Sequence, residues 1–331
     1  ERPVADESGG PVVAGLAERI NRIDAVDVVA PGGAAAVRLR REDERWRVLD
    51  RDGYEADFQQ VVDLLRTLAE AERSEPKTTN PDWYRRLGVA GMDDADSSGR
   101  RIEFPGTGLA PVIVGQVDPT DGGSYVRSTD EEQAWLADRV IEVAIDPVAW
   151  LEPGIMDIPA DDLVSVTVTH ADGETVRLQK VGGDGEADVE GEWVLRDVPE
   201  GRAAGPAWQR NALANALRGL GLDDVRRFDP PHPEDAARTV LVTEDGLRFT
   251  AMSWREGEGD DRSAWVHFTV DEADSESEPE APEADNDAAE RLADAVAVDA
   301  RLSPWAFRIP EPRADDLAPR LDDLLEPPDE D

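Results

Sequence analysis

Hydrophobic residues along the chain follow two patterns, short alternating runs and longer segments with helical spacing. Alternation with a period of two predicts strands. The predicted strands are 26–29, 37–39, 46–49, 101–104, 112–117 and 124–128, then 164–169, 176–178, 193–195, 239–243, 247–254, 265–270 and 305–309. Helical spacing predicts helices at 58–68, 131–138, 208–220, 288–298 and 317–325. Runs of strands mixed with single helices favour an α+β fold.

One order of elements occurs twice. In each copy an alternating strand precedes a Val-Arg-Leu strand, a strand that contains a tryptophan, and an amphipathic helix; the tryptophans are Trp46 and Trp193. We therefore predict two similar halves, residues 12–150 and 151–331, each a mostly antiparallel sheet covered by helices on one face. The join is expected near 147–159. The two tryptophans are expected at equivalent core positions, since burial of a large aromatic ring stabilises a fold.

Residues 271–290 differ from the rest of the chain in composition. Half of them are acidic, none is basic, and Pro279 and Pro282 interrupt them. Such a segment buries too little apolar surface to offset the entropy lost on ordering, which predicts an acidic disordered insert. Cation binding is the alternative, and a solvated spacer is the simpler interpretation.

The charge balance indicates adaptation to salt. The chain has 331 residues and a formal charge of −40, with 75 acidic and 35 basic residues. Lys77 and Lys180 are its lysines. Carboxylates repel one another at low ionic strength, and ~1 M salt shortens the Debye length to ~3 Å, which removes most of that repulsion. A GC-rich genome would explain arginine in place of lysine but not the excess of acids, so we favour a halophilic source.

The same charge excludes several classes of partner. A polyanionic surface repels nucleic acid and anionic lipid, and bulk cations are its expected counterions. No run of 18 apolar residues occurs, and no cysteine is present for disulfides, thiolate catalysis or Cys zinc sites. The chain begins at Glu1 rather than Met, which leads us to expect that its true beginning lies upstream.

Two short motifs resemble phosphate and penicillin-binding signatures, and neither has the required context. Gly106-Thr107-Gly108 is followed by Pro111 and a predicted strand, whereas a phosphate loop leads into a helix N-terminus. Ser74 and Lys77 have Ser-x-x-Lys spacing but follow a predicted helix, and no Ser-Asp-Asn partner exists.

No metal or catalytic residue is predicted. The histidines are His170, His232 and His267; none pairs with another at metal-ligand spacing, and we expect His170 and His267 on solvent-facing positions of strands. Asp94, Asp96, Ser98 and Gly99 resemble the start of a calcium loop, but Pro105 stands where its closing Glu belongs. The alternating acids Asp184, Glu186, Asp188 and Glu190 are expected by chance in so acidic a chain.

Trp254 and Trp265 lie on predicted facing strands, where they could stack on a sugar. Core packing is the favoured interpretation. Carboxylate pairs for glycoside chemistry cannot be singled out among 75 acids.

Several segments together resemble the bacterial family of domains of unknown function numbered 4340. They are the strand–Trp-strand–helix module, Gly123-Ser124-Tyr125-Val126-Arg127, the stretch from Trp135-Leu136-Ala137-Asp138-Arg139 to Trp150, and 305–325. The resemblance implies one N-terminal membrane helix and a gene beside an ABC transporter of the gliding-motility type. It implies no catalytic residues and no cofactor. The acidic insert departs from the usual pattern of that family.

The leading hypothesis is a non-enzymatic, membrane-tethered periplasmic subunit that binds permease or accessory subunits of an ABC transporter. An independent receptor for an envelope glycan or peptide is the alternative, and a carboxylate-dependent hydrolase is the second. A concave aromatic cleft would favour the receptor. A buried carboxylate pair with a raised pKa would favour the hydrolase.

Overall fold

The computed structural model describes residues 9–94, 96–182, 191–273 and 288–327, with backbone alone at 260 and 288–291. The chain divides into two compact units, Glu1–Glu152 and Pro153–Asp331. In both units the large sheet is antiparallel throughout, so the coarse prediction of an α+β fold with mostly antiparallel sheets is confirmed.

The first unit is built on one nine-stranded sheet. Its strands are β1 Ala25–Val29, β2 Ala35–Glu42, β3 Arg45–Val48, β4 Tyr54–Glu55, β5 Arg73–Thr78, β6 Arg100–Glu103, β7 Val112–Val117, β8 Ser124–Ser128 and β9 Ala134–Ala137. Their order across the sheet is β4-β3-β2-β1-β6-β7-β8-β9-β5. Its helices are α1 Phe58–Glu70 and α2 Pro81–Leu87.

Helix α1 forms where its apolar spacing predicts. Asp57 caps its N-terminus by accepting a hydrogen bond from the backbone N–H of Gln60 at 3.1 Å. The stripe that faces the core consists of Val61, Leu64, Leu65 and Leu68, all buried. Phe58, in the first turn, lies off this stripe and is 60% exposed.

The second unit has an eight-stranded sheet and a small two-stranded one. Its strands are β10 Gly154–Met156, β11 Leu163–Thr169, β12 Thr175–Val181, β13 Glu192–Leu195, β14 Leu220–Gly221, β15 Asp224–Arg227, β16 Ala237–Thr243, β17 Leu247–Glu256, β18 Ser263–Glu272 and β19 Trp305–Ile309. The large sheet has the order β13-β12-β11-β16-β17-β18-β19-β15, and β10 pairs with β14. Its helices are α3 Ala207–Ala214, α4 Ala288–Leu302 and α5 Glu311–Leu317.

Two predicted helices of this unit differ from their apolar spacing. Helix α3 ends at Ala214, and Leu220, the last residue of the predicted helix, belongs to strand β14. The helix predicted at 317–325 is absent, because α5 ends at Leu317 and a 3₁₀ turn follows at Leu321–Leu324. Pro319 lies between them, and proline cannot supply the backbone N–H that a continuous helix needs.

The prediction of a helix at 131–138 is wrong, because residues 134–137 form strand β9 between β8 and β5. Ala134 and Leu136 are buried with the less buried Trp135 between them, which is the period-two pattern of a strand. In a segment of four residues, alternation and helical spacing differ too little to be told apart.

The prediction that helices cover each sheet on one face is also too simple. Strand β18 is buried on both faces, as successive buried residues along it show. On one face the ring of Phe228 stacks on His267, with ring centroids 3.8 Å apart. On the other, Thr239 of β16 donates a hydrogen bond to the carbonyl of Leu317 in α5 at 2.8 Å.

The predicted core tryptophans are buried. Trp46, Trp193, Trp254 and Trp265 are each less than a tenth exposed, which confirms core packing for the last two. Most of the predicted acidic insert, residues 274–287, lies outside the described residues.

Candidate functional site

The second unit contains an open groove of about 1050 Å³, which we call the second-unit groove. It lies between α3, strands β16 and β17, helix α5 and the turn Leu321–Leu324. Its floor includes Ala237 and Ser253, which face each other across β16 and β17. A volume of this size is at the upper end of small-molecule sites, ~300–1,000 Å³, so the groove can hold a short segment of chain.

The lining of this groove is rich in carboxylates. Asp235, Glu311, Asp315, Asp316, Asp322 and Asp323 line it, together with the guanidinium groups of Arg255, Arg262 and Arg320. Arg255 pairs with Glu311, with Nε 3.0 Å from Oε2, and with Asp315. The carboxylate of Asp323 accepts a hydrogen bond from the backbone N–H of Arg320 at 2.8 Å.

Asp316 forms no ion pair or hydrogen bond with the described part of the chain. Burial raises the pKa of Asp316; the positive charge of Arg313 opposes this effect, and the negative charge of Asp315 adds to it. A half-buried carboxylate without a partner is an acceptor that a cationic group could satisfy.

The rim of the groove carries an exposed tryptophan. Trp208, the second residue of α3, is 67% exposed and lines the groove. Two residues that line the groove, Gln209 and Glu311, each have a buried side-chain oxygen, Oε1, that accepts no hydrogen bond from the described residues. A buried acceptor without a donor costs free energy.

The first unit contains a groove of about 1020 Å³, the first-unit groove, between α1, strands β6 and β7 and residues 140–144. Its floor includes Arg100 and Val114, which face each other across β6 and β7. Val117 and Val140 add exposed apolar surface. The Nε of Arg100 is buried and donates no hydrogen bond to the described residues.

A histidine pair lies in the second unit. Nε2 of His232 is 2.9 Å from Nδ1 of His267, and Nε2 of His267 is 2.9 Å from the carbonyl oxygen of Ser303. His267 is 4% exposed, so the prediction that it lies on a solvent face is wrong. Burial lowers the pKa of both rings, and the neighbouring His267 lowers that of His232 further.

The remaining motifs have structural roles. The Thr107 hydroxyl donates to the carbonyl of Phe104 at 2.7 Å within a turn, and no helix follows it. Ser74 and Lys77 lie in strand β5. Asp94 pairs with Arg85 at 2.7 Å, and this hydrogen bond lowers the pKa of Asp94.

No group of three or more His, Asp or Glu in the described ranges is arranged to hold a metal. Asp184, Glu186, Asp188 and Glu190 lie outside those ranges. His170 lines the second-unit groove, and its Nε2 is 3.0 Å from the carbonyl oxygen of Pro319.

Sequence reasoning missed the groove for identifiable reasons. The spacing of Trp208, Leu213, Leu217 and Leu220 predicts one apolar side of a long helix, but α3 has two turns, and a first-turn residue can lie off the buried side. The carboxylates of the groove cannot be distinguished in sequence from 75 acids. Thirty-five positions separate His232 from His267, so spacing gives no sign of their contact.

The fold and these sites define a two-unit α+β protein with an open groove in each unit. A family model described as "Domain of unknown function (DUF4340)" matches residues 46–241, more than half of the chain. The chain belongs to this family, so the resemblance is confirmed at that level. Residues 305–325 lie beyond the match.

No curated protein and no solved structure matches the chain. Within the described residues, every helix is too short or too polar to cross a bilayer.

Proposed function

We propose that the chain is a non-enzymatic docking subunit of an envelope ABC transporter complex, built from two copies of one α+β module. In this proposal it resides in the periplasm of a salt-adapted bacterium and is tethered by an N-terminal membrane helix. The family supplies the transporter association by resemblance, and the structure supports the docking role through its grooves.

The strand order supports a duplication. Apart from β4 at one edge, the first sheet runs β3-β2-β1-β6-β7-β8-β9-β5, and the second runs β13-β12-β11-β16-β17-β18-β19-β15. In both, three strands form a meander, a helix connects to the far edge, and four strands fill the interval. Two unrelated sheets would share so specific an order only by coincidence.

The register of the strands supports it residue by residue. In the first sheet, one row of residues that face each other across successive strands consists of Val37, Val28, Ile102, Val112 and Ser128. Across the second they are Val176, Val168, Thr239, Ala251 and Phe268. Trp46 faces Arg41, and Trp193 faces Lys180. Arg41 lies two positions after Leu39 in β2, and Lys180 lies two positions after Leu178 in β12.

The equivalence of the two grooves is the observation that carries the proposal. On the floor of the first groove, Arg100 and Val114 face each other, and each lies two positions along its strand from Ile102 or Val112, which belong to the row of facing residues described above. The floor pair of the second, Ala237 and Ser253, is two positions from Thr239 and Ala251. A groove kept at one place in both modules, with a different lining in each, is what a scaffold for two different partner segments requires.

Affinity purification tests this proposal. The chain is expressed from its own gene, with its natural start, and isolated in mild detergent at high salt. We expect the permease and ATPase encoded beside it to co-purify in fixed ratio. Recovery of the chain alone from the soluble fraction would contradict both the tether and the complex.

The exposed ring of Trp208 favours one alternative, a receptor for an envelope glycan, since sugars stack on such rings. Saturable binding of neutral oligosaccharides that Trp208→Ala abolishes, without co-purification of transporter subunits, would support this receptor. The hydrolase alternative has the raised pKa of Asp316, but its neighbour Asp315 is held by Arg255.

A further inference from the structure

We infer that the second-unit groove binds an extended, basic peptide segment of a partner protein through its lysine or arginine side chains. The inference rests on the docking role proposed for this groove and names the chemistry of its occupant. Two observations lead to it: the charge of the lining and the exposed tryptophan.

The lining carries six carboxylates against three guanidinium groups. Arg255 is already bound to Glu311 and Asp315, and Arg320 to Asp172; in the described part of the chain none of the three guanidinium groups of the lining forms an ion pair with Asp316. An anionic ligand would have to approach this surplus of carboxylates, whereas a cationic one is attracted to it.

Four of the eight other tryptophans have a guanidinium group over the indole ring. A guanidinium lies over Trp83, Trp135, Trp265 and Trp305, with its carbon 4.6, 6.0, 4.0 and 4.0 Å from the respective ring centroids. Trp208 has no such cation among the described residues, although its ring is 67% exposed beside a carboxylate-rich groove. A cation over an indole is attracted by the ring quadrupole, and tryptophans of this kind are typical binding hot spots.

The test uses a fluorescein-labelled nonapeptide in which lysine and arginine alternate with serine. Its binding is followed by fluorescence anisotropy in 0.5 M KCl, which screens the general attraction between a polycation and a chain of charge −40. We expect saturable binding with one peptide per chain. A nonapeptide with glutamate in place of the basic residues should not bind.

The variants are Trp208→Ala and Asp316→Asn, compared with the double variant E200Q/E258Q. Glu200 and Glu258 are exposed acids of the same unit outside the groove, so the control removes more charge than Asp316→Asn does. We expect each groove variant to weaken binding about tenfold or more and the control to change it less than about twofold. Thermal unfolding of each variant verifies that it is folded.

Loss of affinity in E200Q/E258Q as large as that in the groove variants would overturn the inference, because surface charge alone would then explain binding. Unchanged binding in Trp208→Ala and Asp316→Asn, or no binding by the wild type, would overturn it as well. These failures are distinguishable from failure of the proposed function, since co-purification with the transporter does not depend on which surface of the chain is used.

Discussion

His232 donates a hydrogen bond from Nε2 to Nδ1 of His267 over 2.9 Å. The direction follows from the second contact of His267, whose Nε2 is 2.9 Å from the carbonyl oxygen of Ser303. A carbonyl can only accept, so Nε2 of His267 carries the proton and Nδ1 accepts. A proton added to Nδ1 of His267 would remove this acceptor, and His232 would have to change tautomer to keep the hydrogen bond, which disfavours the charged form of this ring.

This pair predicts loss of stability on mild acidification. The pKa of both histidines is lower in the folded chain than the usual value near 6.5. Near and below that pH the two rings therefore bind protons in the unfolded chain while they remain neutral in the folded one. The free energy of unfolding should fall as the pH drops from about 7.5 to 5.5. Chemical denaturation in 1 M KCl, where repulsion between surface carboxylates is screened, measures the slope.

The matched variants are His267→Gln and His170→Gln. The first keeps an N–H donor for Ser303 but removes a titrating ring of the pair, so we expect it to flatten the slope. The second removes a histidine elsewhere in the same unit and is the matched control, so the flattening should be larger in His267→Gln than in His170→Gln. The raised pKa of Asp316 acts in the opposite sense, so the comparison of slopes is the decisive readout. A slope in His267→Gln equal to that of the wild type would contradict the assignment.

Trp193 and Trp208 form a second pair for comparison, since they lie in one unit with opposite exposure. Trp193 is 5% exposed in strand β13, and Trp208 is 67% exposed on α3. Trp193→Ala should lower the free energy of unfolding by ~3–5 kcal/mol, because it removes a ring from a packed core. Trp208→Ala should change it by less than about 0.5 kcal/mol. Equal effects in urea denaturation would show that one exposure is misassigned.

All thirteen predicted strands are present, because each is an apolar run bounded by polar or turn residues. Strands β7, β8 and β19 have the predicted bounds, 112–117, 124–128 and 305–309. The errors fall where local pattern competes with tertiary pairing: strand β9 is too short for its period to be distinctive, and α3 ends because Leu220 pairs with β10.

The sites were much less predictable than the fold. Both grooves are formed by residues from strands and helices far apart in sequence, as the lining by α3 and α5 shows. Trp208 and Asp316 carry no motif, and their significance comes from exposure and from missing partners, which only coordinates reveal.

Salt is expected to stabilise the chain. With 75 acids and 35 bases, repulsion between carboxylates should outweigh the exposed ion pairs, such as Arg139–Glu70 at 3.0 Å, since each of these contributes little. The melting temperature should rise steadily between 0.1 M and 1 M KCl, as the Debye length shrinks from ~10 Å to ~3 Å. Any gain beyond that range would reflect exclusion of salt from the surface or cation binding. A flat or falling melting temperature between 0.1 M and 1 M would show that the acidic bias is not a salt adaptation of the fold.

The central claim is that the chain docks on a transporter through the second-unit groove, and photocrosslinking in cells tests it most directly. A benzophenone amino acid replaces Trp208 in one strain and Trp83, an exposed tryptophan outside both grooves, in a second. We predict a covalent adduct between position 208 and a permease or accessory subunit of the adjacent ABC transporter, and no such adduct from position 83. Adducts of equal yield from both positions, or no transporter subunit captured from position 208, would contradict the account.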